Sequence, residues 1–175
     1  TWGGGDSKIP EAGIIEAARM STAKGFEGWE KDEKLLGYLY NNKHMTPFEM
    51  AGMTIEVAAP IFVFREWHRH RVPFGYNEMS ARYIPLPNEN YVPTLERLKL
   101  AGGTNKQAQS VTPLAPDDLL ESWIDALGRL YKQAETIYQT GLAYGIPKEV
   151  ARLPVPVARY SRMRATANLR GWLAF

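Results

Sequence analysis

Side chains that bind anions are concentrated in one short stretch of the sequence, RHRVPFGYNEMSARY at residues 69–83. Arg69, His70 and Arg71 are adjacent, and Arg82 follows in the same stretch. An arginine stays charged and can donate two parallel hydrogen bonds to a phosphate or carboxylate group. We therefore interpret the cluster as a site for an anionic ligand, and phosphate-bearing molecules are the natural class.

Metal binding and serine nucleophilic catalysis fit these residues less well. His68 and His70 are two apart, and positions two apart diverge on a helix, so with His44 they make a poorly spaced metal site. No nucleophile motif surrounds Ser80, and a nucleophilic serine needs a base and an oxyanion hole. A ligand-binding hydroxyl is the better interpretation of Ser80, with a plain polar strand face as the alternative.

A helix, a turn and a strand are predicted to position this stretch. Pro60 begins a predicted helix over PIFVFREWHRHR, and VPFG ends it. YNEMSARY then alternates with period two, which is typical of a strand. On such a strand Glu78, Ser80 and Arg82 would share one face, while the opposite face would carry Asn77, Met79, Ala81 and Tyr83.

The other predicted elements are mostly helices. In TPFE, Thr46 is expected to cap a short helix, with Glu49 completing a capping box. Asn168 is expected to cap the last helix. Residues 84–116 are expected to form a long excursion. Further helices are predicted from a cap at Asp6 or Ser7 to about Met20, over 32–40, from a cap at Asp117 or Asp118 to about Tyr144 before Gly145, and over IPKEVAR; strands are predicted over 53–59 and 153–167. The long helix from Asp117 or Asp118 carries an apolar stripe made of Leu120, Trp123, Ile124, Leu127, Leu130, Tyr131, Ala134, Ile137 and Tyr138.

Composition indicates one globular domain over residues 1–175. The net charge of +2 is too small to indicate a nucleic-acid partner by itself. No apolar run approaches the roughly 20 residues of a membrane span. The absence of cysteine excludes disulfides and thiolate nucleophiles within this sequence and favours a cytoplasmic location. Because the chain starts at Thr1 without methionine and stops in the apolar RGWLAF, we expect both ends to be incomplete.

Several blocks of the sequence resemble one known family, in that family's order. RHR, a spacer and NEMSARY resemble the signature of the flavin-dependent thymidylate synthases, and HMTPFE and APIFVFREWHRHR resemble the segments before it. NKQ at 105–107, PKEVARLPVP and NLRGW follow in the same order. The matched blocks span residues 44–175 with gaps, so the resemblance is far more specific than RHR alone.

The resemblance implies a fold and a reaction. The fold would be α+β, a twisted, mostly antiparallel sheet flanked by helices, in a homotetramer whose active sites are shared between subunits. The enzyme would bind FAD and convert dUMP to dTMP, with methylenetetrahydrofolate and NADPH as co-substrates. No enzyme cysteine attacks the uracil in this family, which agrees with the cysteine-free sequence.

The resemblance also assigns residues to each ligand. Residues matching flavin contacts are His44, Thr46, Glu49, Arg69, His70, Arg71, Glu78, Asn168, Leu169 (through its backbone) and Arg170. Residues matching the dUMP side are Glu66, Trp67, His68, Arg69, Glu78, Met79, Ser80, Ala81, Arg82 and Arg152, with Ser80 and Arg82 toward the phosphate. No residue of this span is assigned a certain catalytic role, because the family's uracil-polarising arginine would fall just beyond Phe175.

Three positions depart from the family pattern. The spacer between RHR and Ser80 is one residue longer than usual, and we expect VPFG to absorb that residue in a bulged turn. Glu66 replaces a frequent glutamine and adds a negative charge near the nucleotide. Ala174 stands where a polar residue usually faces the flavin, which puts one flavin contact in doubt.

Two other functions are compatible with the sequence. A nucleic-acid-binding module would use the arginines and aromatic residues as a phosphate and stacking surface. Its weakness is that the basic residues are scattered rather than collected on one helix, so no nucleic-acid or membrane partner is expected. A catalytically inactive flavoprotein of the same fold is the second alternative. Simple surface solvation explains Arg159, Arg162 and Arg164 as well as ligand binding does.

Overall fold

The computed structural model describes residues 10–100 and 115–175. Three strands, β1 at Gly52–Pro60, β2 at Gly75–Glu78 and β3 at Tyr160–Asn168, form one sheet. Their order in the sheet is β1-β3-β2, with β2 antiparallel to β3. Helices and a small antiparallel pairing together confirm the α+β class. The helices are α1 Pro10–Arg19, α2 Trp29–Asn41, α3 Ile61–Trp67, α4 Leu95–Lys99, α5 Asp117–Ala143, α6 Lys148–Ala151 and α7 Leu169–Ala174.

The chain divides into two compact units, and each is built from separated segments. The first unit contains residues 1–57, 66–78 and 162–175, and the second contains residues 58–65 and 79–161. Neither unit is one continuous stretch of sequence, so they are not successive domains. The prediction of a single catalytic domain over 1–175 stays a prediction. Within the described residues, every helix is too short or too polar to cross a membrane.

A small apolar core and a buried ion pair hold the helical part of the first unit. Ile14, Leu39 and Phe48 form the core, and Leu169 packs against it. Asp32 is fully buried and accepts hydrogen bonds from the Arg19 guanidinium and from the Glu27 amide, the latter at 2.7 Å. A buried carboxylate is stable only when it is paired in this way. These contacts fix the segments that lead to β1.

Strand β3 alternates between a buried and an exposed face, as a half-buried strand should. In the first unit, Met163, Ala165 and Ala167 are buried, while Arg164 and Thr166 are exposed. On the exposed face the Thr54 and Thr166 hydroxyls lie 2.8 Å apart, and Arg164 pairs with Glu56 at 3.2 Å. Glu78 is opposite Met163 in the β2–β3 register, and directly opposed residues share a face. Glu78 therefore points to the buried side.

A buried arginine organises the second unit. Arg159 is 0% exposed and pairs with Glu135 of α5, and its Nη1 donates to the Pro87 carbonyl at 3.0 Å. Ala134 and Tyr138 are the buried part of the predicted α5 stripe, whereas other members of that stripe, Trp123, Leu130 and Ile137, are exposed. Surface solvation is thus the wrong explanation for Arg159.

The predicted helix ends were less accurate than the helices themselves. The helix predicted over 32–40 is confirmed as α2, and α5 ends at Ala143 before Gly145, which has φ +74°. The Asp117/Asp118 cap is wrong, because Pro116 takes the N-cap position and the two aspartates lie in the first turn, where the helix dipole favours negative charge. The expected caps at Asp6 or Ser7 and the NKQ match at 105–107 lie outside the described residues.

Two other predicted boundaries differ from those in the structure, each for a physical reason. The Thr46 cap and its capping box are wrong, because TPFEM forms a 3-10 turn, Thr46–Met50, in which the Met45 carbonyl accepts the Phe48 amide at 3.1 Å. The turn therefore begins one residue too early for Thr46 to cap it. The strand predicted over 153–167 begins only at Tyr160, because residues 152–154 and 157–158 form turns around two prolines, which cannot donate ladder hydrogen bonds.

Candidate functional site

The basic RHR segment lies in a turn that follows α3. The Arg69 amide donates to the Glu66 carbonyl at 3.0 Å, and the His70 amide donates to the Trp67 carbonyl at 3.0 Å. These turn bonds replace helical ones, so the helix predicted to reach residue 71 ends at Trp67. Arg69, His70 and Arg71 are all exposed. The guanidinium groups of Arg69 and Arg71 therefore lie at the surface, where they can reach a ligand.

Tyr76 of β2 ties this turn to the sheet. Its hydroxyl donates to the His70 carbonyl and lies 3.2 Å from the Trp67 carbonyl. Its ring meets the His68 ring edge-on, with centroids 4.9 Å apart, and His68 Nε2 lies 3.2 Å from Met163 Sδ. Burial raises the pKa of Tyr76 above its ordinary value, so the hydroxyl keeps its proton and remains a donor.

Sequence reasoning missed Tyr76 as a site residue. The available signal was its place in the period-two segment after RHR, which puts it on the same face as Glu78. That signal indicates a strand position but says nothing of the two carbonyl groups that the hydroxyl contacts. Tyr76 positions the RHR turn without belonging to it.

We expect Tyr76→Phe to destabilise the protein by about 0.5–1.5 kcal/mol, the usual contribution of one hydrogen bond. Phenylalanine keeps the ring packing and removes only the hydroxyl. Because the folded-state pKa is raised, this contribution is complete below the ordinary tyrosine pKa of about 10 and is lost as pH rises through the folded-state pKa. Urea unfolding of both proteins at pH 8 and above pH 10 measures this difference. A difference that grows with pH would contradict the assignment.

One cavity in the first unit gathers part of the predicted cofactor set. Its volume is about 450 Å³, and it is lined by Glu49, His70, Val72, Pro73, Phe74, Asn168, Arg170, Gly171, Ala174 and Phe175. Arg170 Nη1 pairs with a Glu49 carboxylate oxygen. The Asn168 side chain accepts the Gly171 amide at 2.9 Å, which confirms the predicted cap of α7. Ala174 lies in the lining, so the position that departs from the family pattern faces this cavity.

The other predicted cofactor residues lie outside the lining of this cavity. The Leu169 amide donates to the Ala51 carbonyl at 2.8 Å, so its backbone N–H is already paired. The exposed His44 lies beside Tyr38, with ring centroids 5.9 Å apart. Thr46 is exposed in the 3-10 turn that also contains Glu49. Arg69 and Arg71 are exposed in the RHR turn, and Glu78 points to the buried side of the sheet.

Aromatic rings form one side of the same site. The ring centroids of Trp67 and Phe175 are 4.9 Å apart, those of His70 and Phe175 are 4.7 Å apart, and those of Phe74 and Trp172 are 4.8 Å apart. The Trp67 indole N–H is buried and has no hydrogen-bond partner among the described residues. Buried donors are nearly always satisfied. The rings of His70, Phe74 and Phe175 and the Arg170 guanidinium line the cavity, and together they suit a planar heterocycle that carries phosphate groups.

The predicted strand through Arg82 is wrong. Strand β2 ends at Glu78, and the Tyr83 and Ile84 amides both donate to the Ser80 carbonyl, at 3.0 and 3.3 Å. These bonds form a turn in place of a sheet ladder. The face proposed for Glu78, Ser80 and Arg82 therefore does not exist as a strand face.

The turn nevertheless brings together the residues predicted to bind the nucleotide phosphate. Arg82 Nε lies 3.3 Å from Ser80 Oγ, and Ala81 between them is buried. Lys148 Nζ of α6 donates to the Tyr83 carbonyl at 2.7 Å, so α6 and this turn adjoin within the second unit. Arg152 is exposed directly after α6. Two guanidinium groups and one hydroxyl thus occupy neighbouring elements, although Arg82 and Ser80 do not share a strand.

The remaining predicted nucleotide residues are divided between the two units. Glu66 is exposed in α3, Trp67 is half-buried at the end of α3, and His68 is half-buried in the turn that follows. Met79 is half-buried directly after β2. Of the residues that the structure describes, no group of three or more histidine, aspartate or glutamate side chains could hold a metal ion.

The sequence of this chain is similar to that of one protein family. The family described as "Thymidylate synthase complementing protein" matches residues 6–175. A flavin-dependent thymidylate synthase of Streptomyces coelicolor is 38% identical over 175 residues, covering 97% of this chain and 70% of that protein. A flavin-dependent thymidylate synthase of Thermosipho africanus is 34% identical over 161 residues, covering 92% and 68% respectively.

Solved structures of one enzyme are also similar. A crystal structure of a UMP/dUMP methylase, PolB from Streptomyces cacaoi, bound with 5-Br dUMP, gives a TM-score of 0.76 at 35% identity, covering 95% of this chain and 72% of that chain. A crystal structure of PolB bound with 5-Br UMP gives a TM-score of 0.69 at 34% identity, covering 91% and 67%.

Proposed function

Because the chain belongs to the family of flavin-dependent thymidylate synthases, we propose that it is an FAD-dependent methyltransferase that converts dUMP to dTMP. Methylenetetrahydrofolate is the proposed carbon donor, and NADPH is the proposed reductant. The observation that supports this most is the cavity lined by Glu49, His70, Asn168 and Arg170 beside a group of aromatic rings. Residues 1–175 are proposed to act as one catalytic domain.

The residues around the cavity fit a flavin. Arg170 and the exposed Arg69 and Arg71 suit the diphosphate, since guanidinium groups bind phosphate oxygens in pairs. Phe74 and Phe175, which line the cavity with ring centroids 5.4 Å apart, offer apolar ring surface. When bound and reduced, the flavin supplies the hydride. The protein's part is to hold and orient the ring.

The second unit supports a nucleotide phosphate site. Ser80, Arg82 and Arg152 provide a hydroxyl and two guanidinium groups on neighbouring elements. Arginines near the nucleotide also stabilise negative charge that develops on the uracil, which is an electrostatic form of catalysis. We propose that no enzyme thiolate takes part, in keeping with the cysteine-free sequence. Glu78 is proposed as a hydrogen-bond acceptor that positions the ligands rather than a general base.

The proposed assembly is a homotetramer with active sites shared between subunits. Helix α5 exposes Trp123, Leu130 and Ile137, each about half exposed, and they recur every seven residues along the helix. A regular apolar row on the surface is typical of an interaction face. Light scattering of the purified protein measures the assembly directly, and a monomer at micromolar concentration would contradict it.

UMP is a second candidate substrate. The observation that favours it is the likeness to PolB, a UMP/dUMP methylase solved with analogues of both nucleotides. The ribose 2′-hydroxyl is the difference between the two substrates. A direct comparison of UMP and dUMP at equal concentration therefore belongs in the first activity measurement.

The purified protein provides a direct test of the proposed function. We expect it to take up FAD, seen as flavin absorbance that remains with the protein after gel filtration. We also expect it to release tritium from position five of labelled dUMP when methylenetetrahydrofolate and NADPH are present. A protein that takes up no FAD contradicts the synthase. FAD uptake without tritium release from either nucleotide favours the inactive flavoprotein, and tight RNA binding without FAD favours the nucleic-acid module.

Arg82→Ala is expected to weaken dUMP binding by about 1–3 kcal/mol, the usual size for a charge-assisted hydrogen bond. The side chain is exposed and its contact with Ser80 is 3.3 Å long, so the fold should not depend on it. Calorimetric titration of dUMP into the FAD-loaded protein measures the change. Arg97→Ala, on the exposed side of α4, is the matched control. Equal affinities for the Arg82 and Arg97 variants would remove Arg82 from the phosphate site.

A further inference from the structure

The spacer after the RHR turn packs directly on α7 within the first unit. Pro73 lies against Gly171, and the next residue of each segment continues the contact, since the rings of Phe74 and Trp172 meet edge-on at 4.8 Å. The rings of His70 and Phe175 extend the contact at 4.7 Å. Residues from both segments line the 450 Å³ cavity. The distance between the two segments therefore sets the width of that cavity.

Gly171 allows this close approach because it has no side chain. A Cβ atom at Gly171 would lie 2.6 Å from Pro73 Cδ and closer still to Pro73 Cγ. Ordinary van der Waals contact begins at 3.4 Å. The two proline atoms belong to a ring that is closed onto the backbone, so they cannot rotate away. Any larger residue at 171 must move the backbone of the spacer or of α7.

Such a backbone movement would displace lining residues of the cavity both on the α7 side and on the spacer side. The Gly171 amide donates to the Asn168 side chain at 2.9 Å, and Arg170 is its neighbour in α7. Pro73 is three residues from His70 and adjacent to Phe74. A shift of about 1 Å at a positioned group commonly costs up to about a hundredfold in function.

We propose that Gly171 and Pro73 are positioning residues that set the geometry of the cofactor cavity through their direct contact. The proposal rests on the proposed function, since it assumes that the cavity receives the flavin. The rigid ring at 73 is compatible with this close approach only because position 171 has no side chain.

Gly171→Ala tests this contact with an unusual advantage. Alanine is the better helix former, so the change favours α7 by propensity alone. Any loss of cofactor affinity must therefore come from what the new methyl group meets. Gly37→Ala in α2 is the matched control, because a Cβ there meets nothing within 4 Å. Both glycines are helical and both lie in the first unit.

We expect Gly171→Ala to raise the dissociation constant for FAD by about 10- to 100-fold, and Gly37→Ala to leave it within about twofold. In a Pro73→Ala background, where the ring atoms are absent, the further effect of Gly171→Ala should fall to within about threefold. A double-mutant cycle of this kind isolates the contact from the other effects of each change. Flavin fluorescence titration gives the dissociation constants, and the absorption spectrum of the bound flavin reports its surroundings.

The outcomes separate the two proposals. If the unaltered protein takes up no FAD, the proposed function fails and this inference fails with it. If the unaltered protein binds FAD and Gly171→Ala binds it equally well, the inference alone fails. An equal loss with the proline ring present and in the Pro73→Ala background also overturns it. If Gly171→Ala does not fold, circular dichroism of the double variant decides: recovered folding supports the contact, and no recovery overturns it.

Discussion

Replacing Arg159 by alanine is expected to lower the free energy of unfolding by about 3–5 kcal/mol, the cost of removing one member of a buried ion pair. The Arg159 side chain is 0% exposed, and its partner Glu135 is 13% exposed. Truncation would leave the Glu135 carboxylate with little water and no cation. It would also remove the donor to the Pro87 carbonyl at 3.0 Å. The loss is therefore larger than the net contribution of the pair itself.

Urea unfolding followed by circular dichroism measures this loss. Arg129→Ala, an exposed arginine on the same α5 helix, is the control and should change stability by less than about 0.5 kcal/mol. The double replacement Arg159→Met with Glu135→Leu should recover most of the stability, because two apolar residues leave no buried charge. A single Arg159 variant as stable as the Arg129 variant would show that the pair is not buried in solution.

Replacing Arg170 by alanine is expected to weaken FAD binding by about 2–3 kcal/mol, which corresponds to about 30- to 150-fold. Arg170 lines the cofactor cavity and pairs with Glu49, a second lining residue. Its side chain is 54% exposed and that of Glu49 is 37% exposed. Exposed pairs contribute only about 0–1 kcal/mol to stability. The variant should therefore fold normally and lose the cofactor.

Arg164→Ala provides a closely matched control for Arg170→Ala. Arg164 also forms an exposed ion pair, with Glu56, but on the outer face of the sheet. Flavin fluorescence titration and thermal melting of both variants separate binding from stability. Arg170→Lys should restore only part of the affinity, because an ammonium group cannot reproduce the two parallel donors of a guanidinium. Equal FAD affinity in the Arg164 and Arg170 variants would remove Arg170 from the cofactor site.

The boundaries that the sequence predicted correctly are those determined by residues adjacent to them in the chain. The Asn168 cap of α7 and the end of α5 before Gly145 follow from residues next to those boundaries. The segment YNEMSARY has the period of a strand, but only its first three residues pair with β3. An alternating segment forms a sheet only where a neighbouring strand lies beside it to accept and donate hydrogen bonds. The sequence of the segment does not indicate where its pairing with β3 ends. The Ser80 carbonyl instead accepts the amides of Tyr83 and Ile84.

The residue types alone predicted a site that binds an anionic ligand. The family resemblance then predicted which residues contact the flavin and which contact the nucleotide. Neither could indicate Tyr76 or the pairing of Pro73 with Gly171. Those contacts join residues far apart in the sequence or depend on carbonyl groups that every residue carries. The longer spacer before Ser80 gave a partial clue: it bends at Val72 and Pro73 before β2 begins. The bend brings Pro73 against α7, and it fits there because residue 171 is a glycine. No residue next to Gly171 in the sequence indicates that contact.

The ring cluster beside the cavity also gives the protein an optical property. Two of its five tryptophans, Trp67 and Trp172, lie in that cluster with centroids 6.4 Å apart. Indole emission overlaps flavin absorption, so excitation energy would pass from these rings to a flavin held against them. Occupancy of the cavity could therefore be followed by the dimming of intrinsic fluorescence, with no label attached and no substrate turned over.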